Sequence, residues 1–367
     1  MKLLLLGNDK KILQSGSDSQ QRLVGYGALA CEIHILIFSA EKIPRQQVDN
    51  VFIYGSGGGG RVLALLRGYF LAKKIVRQNK IGAISSQDPF ESAFIAWLLK
   101  KRLKVKLNIQ VHGDFFSQNF WKRYRLLNFF RFYEAFFLLK RADNIRVVSW
   151  RIKKSIVDKL KILLEKVIVV PIFTDFTELD KCQTEQIQKS DKQFVFFTAS
   201  RLTKEKNIPL LLKSFAGLNR QDAILKIAGD GPEKIWLIAL AKRLGIGDRV
   251  QFLGWLAKKD LYLQYRIADC FVLASDFEGW GLAVLEAAYF NLPIIMTDVG
   301  LVGEIFEKDK DILVVRPRGE QGFMKAMQKI IDDKQLRERL GKKAKTALAK
   351  LPSKEQTIEL YKKAWFL

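Results

Sequence analysis

The sequence predicts an α/β protein built from two doubly wound parallel-sheet domains. Short β-branched apolar runs alternate with longer amphipathic segments along most of the chain. The runs are almost continuously apolar, as expected of parallel strands covered on both faces. The length of 367 residues suits about two domains, and the alternation breaks once, after Pro171.

In the first half, strands are expected at 2–6, 33–38, 50–53, 81–85, 105–111, 144–148 and 166–170. Helices are expected between them at 61–78, 89–100, 117–140 and 150–164. Residues 173–192 are polar and carry Asp175, Glu178, Asp180, Glu185 and Asp191, which reads as a linker. A second series of strands follows at 194–199, 224–228, 249–253, 270–274, 293–296 and 312–315. The expected divisions are a first domain at 1–172, the linker, a second domain at 193–351, and a terminal helix at 352–367 packing back on the first domain.

Composition narrows the class. Hydrophobic residues are 49% and charged residues 27%, enough to bury sizeable cores. No apolar run reaches the roughly 18 residues that span a bilayer. The opening Met1–Gly7 run is too short for a signal h-region. Cys31, Cys182 and Cys270 are scattered without a CxxC, which argues against a disulfide framework or thiolate zinc site. Two histidines exclude a His-rich metal centre. The expected location is the cytoplasm, with the inner membrane face as a peripheral site. Net charge is +24. Residues 1–180 hold 30 of the 62 basic and 15 of the 38 acidic residues, so the excess is concentrated there. Such a field draws nucleic acid, anionic lipid or phosphorylated ligands alike.

In doubly wound sheets, ligands bind beyond the carboxyl ends of the strands. After strand 270–274 come Glu278, Gly279, Trp280, Gly281 and Leu282, with Glu286 further along the helix that follows. A glycine-opened helix start offers free N–H groups to a phosphate, and an acid beside it can accept from sugar or ribose hydroxyls. The same residues also read as a capping acid and a surface glutamate. After strand 194–199, Arg201 and Lys206 stand at a strand-to-helix turn, where two cations would neutralise a diphosphate. Gly229 and Gly231 follow strand 224–228, and Trp255 and Leu256 follow strand 249–253.

These motifs together closely resemble the retaining GT-B glycosyltransferases of family 4. The resemblance rests on S-R-L-x-x-E-K-N at 200–207, A-G-D-G-P at 228–232, F-L-G-W at 252–255 and the E-x7-E of Glu278 and Glu286. It covers roughly residues 194–305, in matching order and spacing. It implies that Arg201 and Lys206 contact the donor diphosphate, that Glu286 holds the ribose hydroxyls and that Glu278 lies beside the donor sugar. It places the amides of Gly279–Leu282 along the sugar and phosphate, and Trp255 and Leu256 at the base. Glu304 matches a further acid of the family pattern, without an assigned role.

The first half departs from that family. Its members often carry a Gly-Gly loop after the first strand; here stand Gly7-Asn8-Asp9 and then Ser15-Gly16-Ser17. Ser17 is a weak substitute for a phosphate contact. His112, ending strand 105–111, matches a histidine often found near the donor sugar, and also reads as a turn residue. Asp88 follows strand 81–85 and reads either as a hydroxyl-reading acid or as an ordinary helix cap. His34 lies inside an apolar strand and reads as packed. Gly55–Gly60 lacks the phosphate-loop lysine and reads as a surface turn. Asp309-Lys310-Asp311 spells DxD but sits in a charged turn before strand 312–315. No catalytic metal and no cofactor beyond the donor substrate is expected.

Residues 115–141 hold eleven aromatics and six Lys/Arg against one acid, Glu134. Phe115, Phe116, Phe120, Trp121, Tyr124, Phe129 and Phe130 mix there with Lys122, Arg123 and Arg125, a composition suited to an anionic membrane interface or to a core helix with a basic face. The expected activity is retaining hexosyl transfer from a nucleotide sugar to a glycan or lipid-linked acceptor in cell-envelope polysaccharide or glycolipid synthesis. Nucleic acid is not an expected partner. The rivals are a non-catalytic basic membrane- or nucleic-acid-binding protein and a GT-B enzyme of another reaction, such as a nucleotide-sugar epimerase or a phosphorylase.

Overall fold

The computed structural model describes residues 1–14, 17–116, 126–181, 193–218 and 220–366. The chain divides into two compact units. One comprises Met1–Ile172 and Ser353–Leu367, and the other comprises Phe173–Pro352.

The first unit holds an eight-stranded sheet. Its strands are β1 (Lys2–Gly7), β2 (Glu32–Ile37), β3 (Gln46–Val48), β4 (Val51–Gly55), β5 (Ala83–Ser86), β6 (Lys106–Val111), β7 (Asn144–Val147) and β8 (Val167–Val169). Their order is β3-β4-β2-β1-β5-β6-β7-β8. All pairings are parallel except that of β3 with β4. Central β1 shows why the strands read as unbroken apolar runs. Each of Leu3, Leu4, Leu5 and Leu6 is at most 1% exposed, and each such burial is worth about 1.5–3 kcal/mol. Strand β3 was not expected: Gln46 and Gln47 give it no apolar signal, and it pairs only through the reversal at Asp49, whose φ is 51°. His34 is packed as expected, stacked on Phe52 and bonded to Tyr54 and Glu32, and burial pushes its pKa down.

The helices largely fall where expected, at Arg61–Asn79, Glu91–Leu103, Leu126–Leu139 and Trp150–Leu160. The start of the 117–140 helix lies outside the described residues. The helix expected to reach 164 stops at Leu160 because Lys161 turns left-handed (φ 53°), and a separate 3-10 turn follows at Leu164–Lys166. Helix Lys354–Phe366 belongs to this unit. Its Trp365 and Tyr361 enter the core with Leu3, Leu5, Ile33 and Val170, and Asn108 Nδ2 donates to Ala364 O at 2.9 Å.

The second unit holds a six-stranded, all-parallel sheet of β9 (Phe194–Ala199), β10 (Ala223–Ala228), β11 (Val250–Gly254), β12 (Cys270–Leu273), β13 (Ile294–Thr297) and β14 (Leu313–Val315). Their order is β11-β10-β9-β12-β13-β14. Within the stretch read as a linker, Thr177–Lys181 is helical; residues 182–192 lie outside the described residues. Buried Leu211, Phe215, Leu240, Phe323 and Leu340 form one core with the sheet.

Strand order decides where ligands go. In the second sheet the order reverses between β9 and β12, and in the first between β1 and β5. The loops leaving those strands flank the crevice that a doubly wound sheet offers a ligand.

Candidate active site

Two loops of the second unit meet at the β9/β12 reversal. The loop from β9 runs through a 3-10 turn at Lys204–Lys206 and a left-handed Asn207 (φ 45°) into helix Ile208–Ala216. The loop from β12 leads to Gly281, itself left-handed (φ 98°), and then into helix Leu282–Tyr289. Lys206 Nζ lies 2.6 Å from Glu278 Oε1, and Ser275 Oγ donates to the same oxygen at 2.7 Å. The ion pair is largely shielded, with 15% and 11% of the two side chains exposed. Asn207 Nδ2 donates to Asp276 Oδ1 at 2.9 Å, and the Asp276 amide donates to Glu205 O at 2.8 Å. These bonds fix the loops to one another.

Arg201 is different. Its side chain is 69% exposed and stands 3.7 Å from Glu205. A guanidinium held this loosely keeps its donors available to an incoming anion. After the loop from β12, helix Leu282–Tyr289 starts without a side-chain cap, so its first amides and positive dipole end suit a phosphate. Glu286 lies on that helix, and Tyr265 Oη donates to its Oε2 at 2.8 Å and to Ala283 O at 3.1 Å. Tyr265 is fully buried, and burial with Glu286 alongside pushes its phenol pKa well up, so it remains a donor. It thereby orients the Glu286 carboxylate.

Backbone packing explains the glycines. A Cβ on Gly229 (φ 124°) would lie 1.8 Å from Ser200 O, and one on Gly231 would lie 2.4 Å from Leu202 O. Gly229 N also donates to Gly254 O. These glycines let the loops after β9, β10 and β11 close on one another. Trp255 follows β11 and is 69% exposed, with Leu256 half-buried beside it. Between Gly279 and Gly281, Trp280 is buried. Residues beyond the first reading are Ser275, Asp276, Asn207 and Tyr265. Asn207, Ser275 and Asp276 stood in or beside the quoted stretches without a role; Ser275 meets Glu278 locally, whereas Asn207 with Asp276 and Tyr265 with Glu286 meet only through the fold.

In the first unit, Asp88 follows β5, and its Oδ1 accepts the Phe90 amide at 2.9 Å in a turn ahead of helix Glu91–Leu103, whose N-cap is Phe90 and carries no side-chain cap bond. Burial pushes its pKa up. Ser17 Oγ donates to Lys11 O and accepts from the Gln20 amide, capping the next helix; Ser15 and Gly16 lie outside the described residues. His112 is exposed just past β6, with its ring nitrogens 3.4 and 3.5 Å from Arg146 Nη1. The glycine run ends at Gly60, which opens helix Arg61–Asn79 with φ 85°. The DxD acids serve the turn before β14, where Asp311 accepts the Glu307 amide.

The aromatic segment is split. Phe115 and Phe116 are buried, packed with Phe90 and Phe132, so they are core and not interface residues. Phe120, Trp121, Lys122, Arg123, Tyr124 and Arg125 lie outside the described residues. Phe129, Phe130 and Tyr133 are exposed, as are Val62, Leu66 and Phe70 on helix Arg61–Asn79. The intervening helix Glu91–Leu103 joins the two: Arg61 and Arg131 both pair with Glu91, and Trp97 packs on Phe137. Burial, with Glu91 and Asp88 nearby outweighing Arg131, raises the Glu134 pKa to about 7. Among the described residues, no helix is long and apolar enough to cross a membrane.

Comparison with known proteins decides the family. A model of "Glycosyl transferases group 1" matches residues 181–347, and one of "Glycosyltransferase Family 4" matches residues 24–178. The chain is a GT-B glycosyltransferase of the family 4 type. Among its relatives, α-D-kanosaminyltransferase of Streptomyces kanamyceticus is 24% identical over 277 residues, covering 73% of this chain and 71% of the relative. The α-monoglucosyldiacylglycerol synthase of Streptococcus pneumoniae is 26% identical over 62% of this chain, which spans only about half (54%) of that relative. Sucrose-phosphate synthase of Thermosynechococcus elongatus shares the fold with a TM-score of 0.81 at 17% identity, over 98% of this chain and 97% of that one. Anabaena HepE in complex with UDP-glucose gives 0.74 at 16% identity, over 98% of each chain. Glu278 precedes the uncapped helix start and Glu286 lies within the helix.

Proposed function

We propose that this glycosyltransferase moves a hexosyl group, with retention, from a nucleotide-diphosphate sugar to a glycan or lipid-linked acceptor in cell-envelope polysaccharide or glycolipid synthesis. The observation that carries the reading is the convergence of Lys206, Glu278 and a capless helix N-terminus at the β9/β12 reversal. The diphosphate lies against that helix start, with Arg201 and Lys206 as counter-charges. Glu286, oriented by Tyr265, receives the ribose hydroxyls. The amides of Gly279–Leu282 run along the sugar and phosphate, and Glu278 reads the sugar. Trp255 and Leu256 take the base. Gly229 and Gly231 act by letting the loops close around the donor.

In the transfer, the bond from C1 of the sugar to the diphosphate oxygen breaks and a bond from C1 to the acceptor oxygen forms on the same face. The acceptor proton passes to the departing diphosphate. Charge grows on the diphosphate, where fixed cations and amides stabilise it most effectively. Glu278 is engaged by Lys206 and Ser275 and serves as a positioned acceptor, not a nucleophile. In this reading His112 serves at the reacting sugar, as a sugar contact or acid–base participant, and Asp88 stands on the acceptor or sugar side. The HepE complex with UDP-glucose supports a nucleotide-sugar donor by likeness of fold.

The test is thermal unfolding against a panel of nucleoside diphosphates and their sugars. A ligand at 100 times its dissociation constant adds about 2.7 kcal/mol. One nucleotide should give that shift, and Glu286→Ala should weaken its binding about tenfold or more. An unchanged Kd in the variant would remove Glu286 from the donor site, and no shift with any nucleotide would overturn the reading.

A second reading concerns the acceptor side. Exposed Val62, Leu66, Phe70, Phe94, Phe129, Phe130 and Tyr133 on three helices of the first unit, with exposed Arg67, Lys101 and Arg102, suit a peripheral seat on an anionic membrane. The named activity of the diacylglycerol-glucosylating relative is compatible with a lipid acceptor. Sedimentation with anionic vesicles should exceed that with zwitterionic ones, since each basic side chain near the surface contributes about 1 kcal/mol. It should also rise between pH 8 and 6 as Glu134 takes up its proton. Equal binding to both vesicle types would count against this seat.

A further inference from the structure

Arg146 in β7 carries a buried guanidinium, 1% exposed. Its partners are neutral. Nη1 donates to Gln110 Oε1 at 3.0 Å, Nη2 donates to Val170 O at 2.8 Å, and the group faces the His112 ring. Its carbon lies 4.9 Å from the Tyr361 ring centroid. Among the described residues no carboxylate forms an ion pair with it, and its buried Nε has no acceptor. Removing a cation from water is costly unless an anion compensates it.

The same side chain lines a cavity of about 270 Å3 inside the first unit, together with Gln87, Gln110, His112, Tyr26 and Trp365. Trp365 carries a second buried donor without an acceptor, its indole Nε1. Asp9 is the one acid on the wall, and it is engaged: Oδ1 accepts the Lys11 amide and Oδ2 accepts from Ser19 Oγ. The volume lies just below the range of about 300–1,000 Å3 typical of small-molecule sites. It fits one headgroup-sized moiety.

We propose that this cavity binds an oxyanion, a carboxylate or phosphate monoester carried by the acceptor, with Arg146 as its counter-charge. Tyr26, Tyr361 and Trp365 form aromatic walls beside the charge, and Gln87 and His112 supply further polar contacts. The proposal rests on the reading that the first unit takes the acceptor. It is tested without donor or turnover, so the two can fail separately.

The experiment measures the melting temperature of the full chain against inorganic phosphate, methyl phosphate, malate and, as a neutral control, glycerol, at constant ionic strength. It is run on the wild type, Arg146→Met and Arg201→Ala. A rise with phosphates or with malate that vanishes in R146M and survives in R201A supports the cavity, and the better probe identifies the anion. A tenfold loss of affinity in R146M is expected. A rise that vanishes in R201A and survives in R146M places the ions at the donor site only and overturns the proposal, as does no rise in the wild type. If R146M does not fold, Arg146→Lys reads the same contrast: it keeps the charge but loses the fork, so affinity should fall at least about threefold. Unaltered affinity there overturns the proposal.

Discussion

Replacing Lys206 by alanine should lower kcat/KM about 10²–10³-fold, the usual cost of removing one preorganised donor from a site of developing charge. The Lys206 ammonium is held within 2.6 Å of Glu278 on the loop facing the helix start at Gly281. Nothing need reorganise as the diphosphate departs. The same substitution strips Glu278 of its partner in a largely shielded place, and an uncompensated buried charge is costly. Turnover and stability must therefore be separated. The double variant Lys206→Ala/Glu278→Gln removes the orphaned charge, so it should regain most of the melting temperature while remaining slow. Recovery of both activity and stability would show that the pair is structural. Arg201→Ala should lower turnover without that stability loss, because its guanidinium is exposed and only loosely paired. Normal turnover in R201A would take it out of the site.

The second unit was legible because its chemistry sits in contiguous motifs after successive strands. Lys206 and Glu278 are 72 positions apart, yet each follows a strand end, and the β9/β12 reversal brings strand ends together. Tyr265 was not legible. Nothing local distinguishes a tyrosine that orients Glu286 from one that packs on Phe271 and Phe290, and this one does both. The first unit resisted for a different reason. The Asp-Pro of Asp88 carries one spacing for two roles, and the observed bond to the Phe90 amide holds the turn ahead of the helix instead of capping it. Strand β3 lacked any apolar periodicity. Arg146 did leave a signal, a charge inside the apolar run Ile145–Val148, but its meaning depends on Gln110, Val170 and Tyr361, which only the sheet order and the returning helix supply.

That returning helix supports the last prediction. Trp365→Ala should destabilise the first unit by about 3–5 kcal/mol, the range for truncating a buried Trp or Phe. Trp365 is 1% exposed and meets Tyr26 edge-on at 5.5 Å and Tyr361 at 4.9 Å, within the core formed by Leu3, Leu5 and Val170. A loss of that size is a large part of the about 5–15 kcal/mol that holds a typical protein folded. Urea unfolding followed by probes in each unit should therefore show the first transition moving to lower denaturant while the second stays in place, since the chain need not unfold in one step. Trp365→Phe keeps an aromatic ring in the core and removes the remainder of the indole, whose N–H has no acceptor, so it should cost clearly less than alanine, about 1–2 kcal/mol for the smaller cavity. If alanine costs no more than phenylalanine, the terminal helix is not part of the core, and the enclosure of the Arg146 cavity fails with it.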